Sequence, residues 1–90
     1  MKDFKIFKEQ LLKNKETNKA YLKLKPQYDL IEMIIRERLK KGMTQEALAK
    51  KIGTKQSAIA RFESGKTNPT ISFLSNIAEA LGGELTVSLK

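Results

Sequence analysis

The stretch GMTQEALAKKIGTKQSAIARFESG, which runs from Gly42 to Gly65, contains two short helical patterns joined by a single glycine. Thr44 is placed to cap a first helix over residues 45–52, because a threonine oxygen accepts hydrogen bonds from free backbone N–H groups. Gly53 ends that helix, since glycine adopts left-handed backbone angles without steric cost. Thr54 is placed to cap the second helix, which Gly65 closes. The stretch therefore predicts two helices packed tightly around one turn.

The side chains of these two helices divide into an inner and an outer set. Ala49 is small at the point where the helices should approach most closely, and Ile59 and Phe62 anchor the second helix in a core. Two helices joined by such a short turn cross steeply, so one can lie in a groove while the other braces it. A helical wheel places five residues on the outer side of the second helix: Gln56, Ser57, Ala60, Arg61 and Ser64.

This outer side lacks acids and suits the edges of base pairs in DNA. Glutamine can bond adenine through two hydrogen bonds, serine is adaptable, arginine prefers guanine or phosphate, and an alanine methyl group can contact thymine. A lysine in the first turn can reach past the end of the helix toward DNA. The predicted base contacts are therefore Lys55, Gln56, Ser57, Ala60 and Arg61.

Phosphate contacts are expected on both sides of that helix. Gln45 begins the preceding helix, where its side chain and the free backbone N–H groups can bind a phosphate with help from the helix dipole. Lys66, Thr67 and Asn68 form a loop that can hold the DNA backbone on the other side. Such contacts fix the register of a protein on DNA, whereas base contacts select the sequence.

Two further helices complete the predicted core. Pro26 suits the first turn of a helix that continues to Gly42. The apolar face of this helix comprises Leu30, Ile31, Ile34, Ile35 and Leu39. Thr70 is placed to cap a last helix. The apolar stripe of the last helix comprises Ile71, Leu74, Ile77, Ala78 and Leu81. With the central pair, these helices predict a small α-helical bundle over residues 26–82.

Residues 1–25 are the most basic part of the chain, with eight lysines and three acids. Their apolar residues at helical spacing predict an amphipathic helix over about residues 3–13, and a second apolar group follows a polar break at residues 14–18. This segment either packs on the main domain or binds a partner. Its apolar residues include Phe4, Phe7, Leu11, Tyr21 and Leu22.

The C-terminal residues GGELTVSLK alternate apolar and polar side chains, which predicts a short β-strand over residues 83–90. No other segment has a strand pattern, and an isolated strand leaves its backbone groups unpaired. We therefore expect it to pair with its own copy across a twofold axis, with Leu85, Val87 and Leu89 in the dimer contact. The alternative is an extended tail that docks on the core.

The composition of the 90-residue chain limits what it can do. The formal charge of +8 favours nucleic acid, acidic protein or anionic membrane surfaces as partners. Histidine and cysteine are absent and the ten acids form no short-spaced pair, so we expect no catalytic site, metal or cofactor. No apolar segment is long enough to span a membrane, and no signal peptide is recognisable. These features predict a cytoplasmic binding protein.

The central region resembles the phage-repressor type of helix-turn-helix protein, the Cro or XRE family. The resemblance rests on TQEALAKKIGTKQSAIARFESGKTNPT followed by LSNIAEALG, within a region from Leu30 to Leu81. It implies a small all-α helix-turn-helix bundle whose third helix enters the major groove of operator DNA, usually as a dimer. The resemblance implies a phosphate contact at Gln45, backbone contacts by residues 66–68, and base-reading positions at Lys55, Gln56, Ser57 and Arg61. The resemblance also implies a structural ion pair between Arg38 and Glu63.

The flanks are similar to HigA-type antitoxins of toxin–antitoxin modules. The similarity rests on YLKLKPQYDLIEMIIRERLKKGMTQ, on the short extension before it and on LTVSL at the C-terminus. It implies a protein that neutralises a small ribonuclease-type toxin and represses their shared operon. On that hypothesis residues 1–25 bind the toxin, residues 26–82 bind DNA and residues 83–90 form the homodimer. The predicted toxin contacts are Phe4, Phe7, Leu11, Tyr21 and Leu22.

Two other functions fit the same composition. A stand-alone transcriptional regulator would use residues 1–25 as a DNA-contacting arm or as packing for its own domain, and a basic arm would make binding salt-dependent. A charge-driven binder of RNA or of membrane surfaces belongs to a different class. The predicted reading side carries no aromatic residue that could stack on single-stranded RNA, which favours double-stranded DNA.

Overall fold

Five α-helices form the chain in a computed structural model that describes the backbone of residues 2–14 and 19–89. Side chains are described for residues 4–13 and 24–89. The helices are α1 (Lys2–Asn14), α2 (Lys19–Lys40), α3 (Gln45–Ile52), α4 (Gln56–Glu63) and α5 (Ile71–Ala80). The all-α helical bundle predicted from the sequence is confirmed.

The core lies where α2, α3, α4 and α5 meet. Its largest fully buried side chains are Ile31, Leu48, Ile59, Phe62 and Ile77. Burying each such side chain contributes about 1.5–3 kcal/mol to folding, so these five hold the bundle together. The predicted anchors of α4, Ile59 and Phe62, are 0% and 2% exposed, and the predicted small contact at Ala49 is 2% exposed.

Local capping fixes three helix ends, the two ends of α3 and the start of α5. The Oγ of Thr44 accepts a hydrogen bond from the N–H of Ala47, and Thr70 does the same for Phe73, both at 3.0 Å. Gly53 ends α3 with φ of 76°, in the left-handed region that favours glycine. These three predictions are confirmed.

The predicted cap at Thr54 is wrong, because α4 starts one residue later. Its N-cap is Lys55, which makes no side-chain capping bond. The N–H of Thr54 instead donates to the carbonyl of Ala49 at 2.9 Å. Thr54 therefore belongs to the turn that closes α3, where its backbone satisfies a carbonyl at the end of that helix.

Pro26 lies inside α2 and does not begin it. A proline within a helix removes one backbone hydrogen bond, and packing along the helix must offset that cost. The aromatic rings of α1 supply such packing, since Phe4 and Phe7 stack on Tyr28 with centroid distances of 5.4 and 6.3 Å. The predicted division of the chain between residues 25 and 26 thus falls within a continuous helix.

Two residues assigned to the apolar faces point outward. Leu39 is 56% exposed because Arg38 occupies the inward position in the last turn of α2. Ile71 is 66% exposed because it is the first residue of α5, where the buried stripe of Ile77, Ala80 and Leu81 has not yet begun. Both wrong predictions lie at a helix end, where spacing alone fixes the inward face poorly.

The predicted C-terminal β-strand is not formed. Residues 83–89 are irregular, and the described part of the chain contains no strand. The reason is that no other described segment offers a row of unpaired backbone groups for this one to bond. Leu85 is half-buried, whereas Val87 and Leu89 are 71% and 101% exposed.

The helix α1 packs along α2 through its predicted apolar face. Phe7 and Leu11 are 6% and 4% exposed, and Phe4 is half-buried. The side chains of Tyr21 and Leu22 lie outside the described ones. In this arrangement the N-terminal segment packs on its own domain, which was one of the two alternatives that the sequence left open.

Candidate nucleic-acid interface

The outer side of α4 is held toward solvent by its inner anchors. Ile59 and Phe62 fix the helix against the core, so side chains on the opposite side must point outward. Lys55, Gln56, Ser57 and Arg61 are exposed and Ala60 is half-buried. The structure thus brings all five predicted base contacts to one side of α4 and its N-terminus.

Ser64 does not belong to that surface, although the helical wheel placed it there. It is 5% exposed, and its Oγ donates to the carbonyl of Arg61 at 2.7 Å. A short serine side chain can bond the carbonyl of the preceding turn, which turns it toward the helix. The exposed surface of α4 therefore ends at Arg61.

A pair of glutamines joins α3 to α4 at the edge of this surface. The Nε2 of Gln56 donates to the Oε1 of Gln45 at 2.6 Å, and the Nε2 of Gln45 donates to Glu63 at 2.9 Å. Gln45 is the predicted phosphate contact and Gln56 a predicted base contact. This hydrogen bond holds the two side-chain amides next to each other. It would therefore fix the phosphate contact of Gln45 relative to the base contact of Gln56.

A buried ion pair supports the glutamine pair from below. The guanidinium of Arg38 donates to both carboxylate oxygens of Glu63, at 2.7 and 2.9 Å, and also to the carbonyl of Met43 at 2.8 Å. Arg38 and Glu63 are 4% and 2% exposed. Charged hydrogen bonds with two parallel contacts are strong and directional, so they fix the position of Glu63. The family-derived ion pair is present, and it neutralises the acid of α4 beneath the reading surface.

The loop after α4 is attached to the first two helices. The ring of Phe7 lies over Gly65, where an added Cβ would come within 2.5 to 2.9 Å of three ring atoms. The Nε2 of Gln27 donates to the carbonyls of Gly65 and Thr67 at 3.3 and 3.4 Å. Lys66 and Asn68, two predicted phosphate contacts, are exposed, and Thr67 is half-buried.

Two residues of this region were missed by sequence reasoning. Gln27 and Phe7 reach the loop from distant parts of the chain, and the Gln27 contacts span 38 and 40 residues. No local pattern marks such a contact. The closeness of the Phe7 ring to Gly65, whose φ is 78°, depends on how α1 packs and has no local signal in the sequence.

An open concavity of about 570 Å³ lies beside the glutamine pair. It is lined by residues of α2, α3 and α4 and by Phe4 of α1, which places the N-terminal helix next to the predicted reading surface. Its lining includes Phe4, Gln45, Gln56, Ala60 and Glu63. Among the side chains described, those of residues 4–13 and 24–89, no acidic group is arranged to hold a metal ion.

These features define a DNA-binding protein of the helix-turn-helix class. A closely packed helix pair joined at a glycine presents an acid-free side of its second helix, and flanking amide and amine groups suit phosphates. The chain belongs to the family described as helix-turn-helix, whose profile matches residues 34–87. Among the helices described, none has the length and apolar character needed to cross a membrane.

Relatives in distant organisms share this region. The chain is 32% identical over 81 residues to a Haemophilus influenzae protein named an uncharacterized HTH-type transcriptional regulator, a match covering 90% of this chain and 79% of that protein. Proteins with the same name from Archaeoglobus fulgidus and Methanothermobacter thermautotrophicus are 44% and 40% identical over 52 residues. Those matches cover 57% of this chain and 74% and 75% of the two relatives. No solved structure gives a significant match.

Proposed function

We propose that this helix-turn-helix protein is a sequence-specific regulator of transcription that binds double-stranded DNA. The observation that carries the proposal is the exposed, acid-free side of α4, held outward by Ile59 and Phe62 and linked through Gln56 to Gln45. The names of the relatives, HTH-type transcriptional regulators, agree with this function. A DNA partner also agrees with the cytoplasmic location expected from the sequence.

In the proposed complex α4 enters the major groove. Gln56, Ser57 and Arg61 contact base edges there, because their amide, hydroxyl and guanidinium groups match the hydrogen-bonding pattern of the bases. Lys55 and Ala60 complete the contact at the start and the inner edge of the helix. Gln45 and the N-terminus of α3 bind a phosphate on one side, and residues 66–68 bind the backbone on the other. The function is binding, and no chemical step is proposed.

The protein acts in this proposal as a homodimer on a palindromic site. One eight-residue recognition helix contacts only a few base pairs, and a twofold copy doubles the contacts. Leu85, Val87 and Leu89 supply apolar surface for the dimer contact, through side chains and not through strand pairing. In such a dimer the two copies of α4 should lie about 34 Å apart, which is one turn of the DNA helix.

The finer part of the proposal is that the protein is an antitoxin. The resemblance of its flanks to HigA-type antitoxins motivates this, together with the separate helix α1 on the side of the domain. Ile6 and Leu12 of α1 are 51% and 53% exposed and offer apolar surface to a small ribonuclease-type toxin. Contacts through Phe7 and Leu11 would require α1 to leave α2, because both side chains are buried there.

The alternative is a stand-alone regulator without a toxin partner. The packing of α1 on α2 through Phe4 and Phe7 favours this alternative, because it gives the N-terminal residues a role within the domain. Co-expression with the product of the neighbouring gene separates the two. A stable complex that loses ribonuclease activity supports the antitoxin function, and the absence of any complex removes it.

The DNA-binding proposal is tested by substituting Gln56. The wild-type chain first selects a preferred site from a random pool of duplexes, and binding of Gln56→Ala to that site and to scrambled duplexes is then measured. We expect a loss of about 1–3 kcal/mol on the selected site and a relaxed preference at one base pair. Asn76→Ala, an exposed amide on α5, is the matched control and should bind as the wild type does. An equal loss on every duplex would mean that α4 presents a different face.

A further inference from the structure

The N-terminal helix approaches the end of α4 most closely at a glycine, Gly65. The ring of Phe7 lies so close to Gly65 that a Cβ there would fall 2.5 Å from one ring carbon. Gly65 follows the last residue of the α4 cap, and its φ of 78° starts the loop that turns away from the helix. The position of this turn therefore depends on a side chain about 58 residues earlier in the chain.

The second attachment of the loop comes from α2. One amide group, the Nε2 of Gln27, donates to two loop carbonyls, those of Gly65 and Thr67. Drawing both carbonyls toward Gln27 fixes the backbone at two points. The residues between and after them, Lys66 and Asn68, keep their side chains exposed, whereas Thr67 is half-buried. Gln27 thus sets which side of the loop faces outward.

We propose that Phe7 and Gln27 are positioning residues for DNA binding. They hold residues 65–68 at the end of α4, so that the phosphate contacts of the loop stay in register with the base contacts of Gln56 and Arg61. The inference rests on the proposed DNA-binding function. Because phosphate contacts carry no sequence information, loss of either positioning residue should weaken binding to all duplexes by the same factor.

This arrangement couples α1 to DNA affinity. Phe7 and its neighbours Ile6 and Gln10 line a small groove with Ser64, Gly65 and Lys66, so α1 borders the start of the loop. A ligand that separates α1 from α2 removes the ring of Phe7 from Gly65. Of the two loop attachments described above, only the hydrogen bonds from Gln27 then remain. DNA affinity should fall as a result, even when the ligand never contacts DNA.

The test compares three variants with the wild type on its selected duplex and on a scrambled one, over a range of salt concentrations. Gln27→Ala is expected to bind both duplexes about three- to tenfold more weakly, the usual net effect of a hydrogen bond. The salt slope should fall by roughly one, as for a lost phosphate contact. Phe7→Ala should show the same pattern more strongly. Phe7→Leu keeps an apolar side chain over Gly65 and should restore most of the affinity.

A purely structural role gives a different pattern. Ile77→Ala is the control, because Ile77 is fully buried on α5, and its loss should lower the unfolding temperature without changing affinity or salt slope for folded protein. Amide NMR shifts of residues 65–68 should move in Gln27→Ala and not in Ile77→Ala. If Phe7→Ala does not fold, Gln27→Ala carries the test.

The outcomes separate this inference from the proposed function. A wild-type chain that selects no duplex removes both. If the wild type selects a site but Gln27→Ala keeps the wild-type affinity and salt slope, the positioning role is overturned and DNA binding stands. A loss restricted to the selected duplex would also overturn it, since Gln27 would then influence the base contacts.

Discussion

The helix pair α3–α4 and the two flanking segments differ in how far away in the sequence their contact partners lie. The threonine cap and the glycine turn of the pair bond to residues nearby in the sequence. Its buried ion pair joins Arg38 and Glu63, two positions that the family resemblance implied. The flanks, α1 and residues 83–89, are amphipathic segments whose partners lie far away in sequence. The helix α1 packs against α2, whereas residues 83–89 pair with no strand in the described part of the chain. An amphipathic pattern therefore indicates that an apolar face will be covered, but it does not identify the element that covers it.

The largest expected effect tests the ion pair that supports the reading surface. Glu63→Gln leaves the buried guanidinium of Arg38 without a counter-charge, and removing one partner of such a pair typically costs about 3–5 kcal/mol. The free energy of unfolding, measured with urea, should fall by that amount. The double variant Arg38→Met with Glu63→Leu should recover most of the loss. If Glu63→Gln alone keeps the wild-type stability, the helix pair does not depend on this ion pair.

The next effect compares the two flanks directly. Phe7→Ala should lower the free energy of unfolding by about 3 kcal/mol, because it empties a buried aromatic site. Leu89→Ala should leave monomer stability unchanged, because this side chain is 101% exposed. Urea titrations at low protein concentration measure both. If the two variants lose equal stability, the contrast between a docked and an undocked flank is wrong.

Leu89→Ala should have its effect on association instead. If the C-terminal residues form the proposed dimer contact, sedimentation at increasing protein concentration should show weaker self-association than for the wild type. Lys13→Ala, an exposed residue of the other flank, is the comparison variant. Unchanged sedimentation of Leu89→Ala would place the dimer contact elsewhere.

The smallest effect concerns a hydrogen bond within α2, from the hydroxyl of Tyr28 to Glu32, next to the ring on which α1 packs. The hydrogen bond to Glu32, with burial adding to it, raises the pKa of Tyr28 to about 12 from its ordinary value of 10. A raised pKa means that the neutral form stabilises the fold below pH 10 and that this contribution is lost as the pH rises from 10 to 12. The stability difference between wild type and Tyr28→Phe should stay constant from pH 7 to 9 and shrink above pH 10. A difference that is flat to pH 12 would contradict the hydrogen bond.

Sequence reasoning succeeded where the deciding contacts were local. The caps at Thr44 and Thr70 and the left-handed Gly53 each depend on residues within one helical turn, so short spacing rules predicted them. It failed at Thr54 by one residue, because the turn used the N–H of Thr54 to close the preceding helix. It also failed at Ser64, where one hydrogen bond to Arg61 reversed the direction implied by the helical wheel.

The sequence predicted which residues lie at the candidate site, but it did not predict the hydrogen bonds that join them. The exposed side of α4 followed from apolar spacing, which fixes the opposite face of any amphipathic helix. The hydrogen bonds from Gln45 to Glu63 and from Gln56 to Gln45 join residues 18 and 11 apart. Pattern rules do not specify contacts between side chains on different helices. The alignment of phosphate and base contacts was therefore visible only in three dimensions.

By itself, the sequence determined the helix pair, its turn and the chemical character of its outer side, because caps, glycines and apolar periodicity act over a few residues. Only the tertiary structure decided that α2 runs through Pro26, that α1 covers Gly65 through Phe7, and that Gln27 holds the loop after α4. Those contacts depend on how whole helices pack, since bringing distant segments together is governed by burial and chain entropy and not by local preference.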